Sequence, residues 1–172
     1  MFKKLNLFSK TEMKVLDYIS VRDGELFERQ IANGAGISAA SANRMLKMFA
    51  KLGLLKQTRK GKMLFYLRND GNPVLRQYKV FTTVNNLMPA VEKIAPFSQR
   101  ILLFGSAATG RNGENSDIDL FVLSGEKEKT RARLREEERI KAIIMNGQEY
   151  AELRKKDKPL YERINSGIEL FG

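Results

Sequence analysis

A chain of 172 residues with no cysteine and no histidine has no disulfide framework, no thiolate or imidazole metal site and no Ser-His-Asp triad, which leaves base chemistry to carboxylates, lysines or water. Its net charge of +11 is uneven: residues 1–70 carry fourteen basic against six acidic side chains, 71–95 three against one, and 96–172 fourteen against thirteen. No apolar stretch nears the roughly 20 residues of a membrane helix, and the apolar part of the first eight residues is too short for a signal peptide, so a cytoplasmic protein of one large or two small domains, with no membrane partner, is expected.

Ser9-Lys-Thr-Glu12 has the form of a capping box, and Met13, Leu16 and Ile19 follow at helical spacing. Asp23-Gly24 breaks that helix. A second short helix is expected over residues 26–33, with Phe27 and Ile31 inward. Gly34-Ala-Gly36 makes a tight turn, and Ser38 is a good N-cap for a third helix that keeps Ala42, Met45, Leu46, Phe49 and Leu52 on one side. Gly53 ends it. Residues 54–59 and 62–67 then read as a β-hairpin with a basic tip.

Three short helices and a hairpin, with the phrase Gln-Ile-Ala…Gly-Ile-Ser…Asn-Arg-Met-Leu…Leu-Gly-Leu-Leu, resemble a winged helix-turn-helix of the DNA-binding regulators over residues 9–68. The outer face of the third helix offers Ser38, Ser41, Asn43, Arg44, Lys47 and Lys51. Short polar residues at a helix N-terminus reach base edges and phosphates, and Arg44 is suited to reading guanine. Arg59, Lys60 and Lys62 at the wing tip suit the phosphate backbone of duplex DNA. A winged helix used only for protein contacts is the rival reading.

Asn72-Pro73 starts a helix, with Asn as N-cap and Pro at the first helical position. Val74, Tyr78, Phe81, Val84 and Leu87 or Met88 recur at helical spacing, and Pro89 is expected to open a second helix through Ile94. Residues 71–95 are thus a helical connector, either packed rigidly on one domain or forming a dimer seam. Pairing on DNA half-sites points to a homodimer.

Ile101-Leu-Leu-Phe-Gly105-Ser106 is an apolar run that ends in a turn. Ten residues further on, Asp117-Ile-Asp119-Leu-Phe-Val122 begins a second run with two carboxylates spaced i, i+2. On a strand those carboxylates share a face. They are the hard oxygen ligands of Mg²⁺ or Mn²⁺, which arrives carrying nucleotide phosphates. Backbone N–H groups and a hydroxyl at the Gly-Ser turn complement those phosphates. Residues 126–139 mix both charges and read as a solvated helix. Residues 140–145 read as a strand and residues 148–153 as a helix. Residues 159–164 and 167–172 close the chain as a helix and a short strand.

The Gly-Ser turn and the Asp-x-Asp on flanking apolar runs resemble the minimal nucleotidyltransferase domain of the polymerase β-like superfamily, over residues 89–172. The expected fold is therefore α+β. A winged helix-turn-helix (residues 1–70), the connector (71–95) and a small α/β nucleotidyltransferase fold with a mixed sheet (96–172) follow one another. The resemblance implies that Gly105 and Ser106 bind the NTP triphosphate and that Asp117 and Asp119 are catalytic and hold the metal. Arg111 is either a phosphate contact or an exposed loop arginine. Transfer of a nucleoside monophosphate to an acceptor follows from the same resemblance. The family has a third carboxylate on its third strand, and the alignment puts that position at Lys141. Glu138 would need a register shift to replace it. A lysine there points to a slow or silent enzyme. The alternative is a non-catalytic transcriptional regulator whose second domain senses nucleotide or binds a protein partner.

Overall fold

The computed structural model describes residues 9–172. The short apolar stretch expected not to be a signal peptide lies outside the described residues. The chain divides into two compact units, Met1–Arg76 and Gln77–Gly172.

The first unit runs α1 (Lys10–Val21), β1 (Leu26–Phe27), α2 (Glu28–Ala35), α3 (Ala39–Lys51), β2 (Leu55–Lys60) and β3 (Met63–Arg68). Local signals act as the sequence indicates. Ser9 Oγ accepts the Glu12 N–H at 3.2 Å and the Glu12 carboxylate accepts the Ser9 N–H at 3.3 Å, closing the capping box of α1. Ser38 Oγ accepts the Ser41 N–H at 3.2 Å at the start of α3. Val15, Leu16, Ile19, Ile31, Leu46, Phe49, Leu54 and Tyr66 are buried as the core. One boundary differs. Leu26 and Phe27, expected in the second helix, pair antiparallel with Tyr66 and Phe65, giving the strand order β1-β3-β2. An unpaired β3 edge leaves backbone groups unsatisfied, and this two-residue strand covers it.

Helix α4 (Pro73–Ile94) is capped by Asn72, whose Oδ1 accepts the Val74 and Leu75 N–H groups at 2.8 and 3.1 Å. It departs from expectation twice. Pro89 lies inside one continuous helix and starts no second one. The ring is exposed, so the carbonyl it leaves unpaired can bond water, while Leu87, Ala90, Val91 and Ile94 hold the helix down from the other side. The buried face is also rotated. Of the expected positions, Val74 and Phe81 are 40% and 61% exposed, while Leu87 is buried and Val84 packs partly against the core. The unexpected Leu75, Lys79 and Thr83 are buried at i+4 spacing.

The second unit continues with β4 (Arg100–Phe104), α5 (Gly105–Ala108), β5 (Ile118–Leu123), α6 (Lys127–Leu134), β6 (Ile140–Met145), α7 (Gly147–Lys156), α8 (Lys158–Asn165) and β7 (Ile168–Phe171). Its sheet has the order β6-β5-β4-β7, with β5 and β6 parallel and the other pairs antiparallel. Alternation along the strands splits the core into two layers. Ile101, Leu103, Leu120, Val122 and Ile144 meet Leu87, Val91 and Ile94 of α4, Ala107 of α5 and Leu134 of α6. Leu102, Phe104 and Phe121 meet Leu153 of α7 and Ile164 of α8. Helices thus cover both faces of a mixed sheet. Of the charged stretch 126–139 only residues 127–134 are helical, and Thr130 and Leu134 anchor that helix to the core.

Candidate functional site

The site in the second unit is assembled at the end of β4 and the start of β5. Strand β4 is apolar and buried through Phe104, and the chain turns at Gly105 with φ +72°. Only glycine adopts this left-handed conformation without cost. It also leaves room for a neighbour: a Cβ on Gly105 would stand 2.2 Å from Asp119 Oδ2. The Gly-Ser turn and the second carboxylate, fourteen positions apart in sequence, are therefore in contact. Asp119 pairs in register with Phe104 on one side and with Lys141 on the other. Side-by-side residues on neighbouring strands point to one face, so Phe104, Asp119 and Lys141 share the face covered by α7 and α8. Asp117 is exposed and stands one residue ahead of β5.

The connecting loop is tied at several points. The Arg111 N–H donates to the Ser106 carbonyl at 2.9 Å, and the Gly113 N–H donates to Ser116 Oγ at 2.7 Å. The Ile118 N–H donates to the Arg139 carbonyl at 2.8 Å, and the Arg139 guanidinium donates to the Ser116 carbonyl at 3.0 Å. The Arg111 side chain is exposed. Glu138 sits in the turn before β6 and misses the rung that Lys141 occupies. Among the described residues no group of three or more His, Cys, Asp or Glu side chains could hold a metal ion. Two carboxylates beside a lysine suit one divalent ion that shares its shell with phosphate oxygens. A pair of ions held by protein carboxylates does not fit this donor set.

Two residues of this region escaped sequence reasoning. Lys79 of α4 is 1% exposed and its ammonium donates to the backbone carbonyl of Asn112 in the connecting loop. Its i+4 spacing from Leu75 and i−4 from Thr83 was the available signal. The Arg163 guanidinium of α8 lies 5.7 Å from the Phe104 ring centroid, which puts an exposed cation next to the rung of Asp119. No local pattern marks that residue.

In the first unit the candidate DNA-contacting residues fall into two groups. Arg44, Lys47, Arg59 and Lys62 are exposed. The others make contacts within the protein. Ser38 caps α3 and its hydroxyl donates to Ser41 Oγ at 3.0 Å. The Asn43 amide donates to the Glu28 carboxylate. Lys60 is paired with Glu25 and lies 5.3 Å from the Phe65 ring centroid.

Residues 84–164 match the family model of the nucleotidyltransferase domain, and residues 13–59 match that of the IclR helix-turn-helix domain. No curated protein matches the chain. Among solved structures, the AntR antimony-specific transcriptional repressor is 22% identical, over 48% of this chain and 73% of that one, with a TM-score of 0.42. NolR from Sinorhizobium fredii is 15% identical over 47% and 75%, with a TM-score of 0.38. Sso10a-2, a DNA-binding protein from Sulfolobus solfataricus, is 22% identical over 49% and 92%, with a TM-score of 0.37.

Proposed function

We propose that this chain, which joins an IclR-type helix-turn-helix domain to a nucleotidyltransferase domain, binds duplex DNA through the first and a Mg²⁺–NTP (or Mn²⁺–NTP) through the second. It regulates transcription in response to nucleotide, with slow or no transfer. Arg44 and Lys47 of α3 and Arg59 and Lys62 of the wing are the DNA contacts. Gly105 and Ser106 take the triphosphate, Asp117 and Asp119 hold the ion, and Arg111 and Arg163 contact phosphate. The bound ion neutralises triphosphate charge. The exposed apolar side chains Val74 and Phe81, seven residues apart on α4, suit pairing of two copies on DNA half-sites.

The observation that carries the reading is the register of Lys141 with Asp119. In the transfer reaction an acceptor hydroxyl attacks the α-phosphorus, the bond to pyrophosphate breaks and the hydroxyl proton leaves to solvent. The hydroxyl needs a carboxylate near it, directly or through an ion. An ammonium at that place supports phosphate binding, but it accepts no proton and repels the ion that would activate the hydroxyl. Calorimetry with ATP and GTP at several Mg²⁺ concentrations tests the nucleotide site. Binding should require Mg²⁺ and vanish in the Asp117→Asn, Asp119→Asn double variant while the fold survives. A wild type that ignores both nucleotides sinks the reading. Lys141→Asp should raise transfer from α-labelled NTP, and a wild type crippled by that change would instead make Lys141 catalytic.

A further inference from the structure

Helix α4 keeps a lysine where its packing pattern calls for an apolar side chain. Leu75, Thr83 and Leu87 lie above and below Lys79 on the same buried stripe, and Lys79 itself is 1% exposed. Taking an ammonium out of water costs several kcal/mol, and a methionine would fill the same volume without that cost. What the ammonium adds is a charged hydrogen bond to a backbone carbonyl 33 residues away, that of Asn112. Asn112 is itself buried. The loop it belongs to runs from the end of α5 to Asp117, so it joins the Gly-Ser turn to the carboxylates. Further ties run from its ends to Ser106 and Arg139, and within the short Gly113–Ser116 turn. The lysine ties a packed helix to the middle of the loop.

We propose that Lys79 is a positioning residue of the nucleotide site. Its buried ammonium fixes the loop, so that the Gly-Ser turn and the carboxylates Asp117 and Asp119 converge on one polyphosphate and its ion. The proposal rests on the nucleotide reading of that site. A carbonyl is one of the few partners through which a side chain can place a loop whatever the loop's own side chains are. The charge makes the bond stronger than a neutral one, worth about 1.5–3 kcal/mol, which corresponds to roughly tenfold or more in an equilibrium.

The test uses the 172-residue chain. Lys79→Met keeps the volume and removes the charge. Hydrogen exchange at the Arg111, Gly113, Ser116 and Ile118 amides should speed up by about tenfold or more, while the central β4 and β5 amides stay protected. Affinity for Mg²⁺–ATP or Mg²⁺–GTP should fall by a similar factor. The chain contains no cysteine, so Lys79→Cys can be aminoethylated in denaturant at that one position and refolded. The restored ammonium should recover both loop protection and affinity. Unchanged loop exchange in Lys79→Met overturns the proposal, and so does faster exchange with unchanged nucleotide affinity. Neutral variants that melt cooperatively only after aminoethylation would assign Lys79 to the fold and overturn its role at the site. A wild type without nucleotide affinity overturns the nucleotide reading first, and the positioning role with it.

Discussion

Gly105 is the residue at which backbone and site chemistry are most tightly joined. Its φ of +72° is costly for any side chain, and the missing Cβ is what admits the Asp119 carboxylate at 2.2 Å from that position. Gly105→Ala should therefore destabilise the chain by about 1–2 kcal/mol from the left-handed backbone alone, and should displace Asp119 as well. Urea unfolding should report the first effect, and loss of Mg²⁺-dependent nucleotide binding the second. A variant that folds and binds nucleotide like the wild type would show that the contact is incidental. Gly105, Ser106, Asp117 and Asp119 stand out in the sequence because each sits at the edge of an apolar run. Asn43 and Lys60 look equally available in the sequence, yet Glu28 and Glu25 engage them. Those partners lie 15 and 35 positions away, beyond the reach of any local pattern.

Strand β2 exposes every side chain from Lys56 to Lys60, but Lys60 is already paired with Glu25. In anisotropy titrations against duplex DNA, replacing Arg59 and Lys62 by Ala should flatten the log–log salt dependence by roughly 1.8, about 0.9 per phosphate contact. Lys60→Ala should change it less. An unchanged slope in the double variant would mean that the wing does not touch DNA. In α7, Asn146 Oδ1 accepts the Glu149 N–H and the Glu149 carboxylate accepts the Asn146 N–H. The hydrogen bond from Lys127 chiefly, and the Asn146 N–H next, hold the Glu149 carboxyl below its ordinary value. A depressed native value means that this contribution is complete above the ordinary carboxylate range and is lost as pH falls through the depressed value. The stability difference between wild type and Glu149→Gln should thus shrink as acid is added. Thermal melts across that range check it, and a difference independent of pH would exclude the carboxylate as its source. The caps of α1 and α3 were legible because each closes within four residues. The short strand β1 was not, because two residues carry no period and only β3 makes them a strand.

At the scale of the molecule, the two compact units divide within α4, after Arg76. A fragment that begins at Asn72 keeps the cap made by Asn72 Oδ1 and both core layers of the second unit. It should melt cooperatively, as followed by circular dichroism. A broad, non-cooperative loss of signal would show that the second unit depends on residues before Asn72.

By itself the sequence determined the capped starts of α1, α3 and α4, the two strands of the wing and the Asp-x-Asp spacing. These rest on periodicity or on bonds that span a few residues, while the mixed sheet was implied by the family resemblance. Only the tertiary structure decided that α4 buries Leu75, Lys79 and Thr83 while exposing Val74 and Phe81. Both faces of that helix are partly apolar, and the face that fits the sheet through Leu87, Val91 and Ile94 is the one that wins. The pairing of Asp119 with Lys141, its packing on Gly105 and the reach of Lys79 to Asn112 were decided in the same way. Such contacts join residues 14 to 33 positions apart, and strand register and helix rotation are set by how whole faces pack.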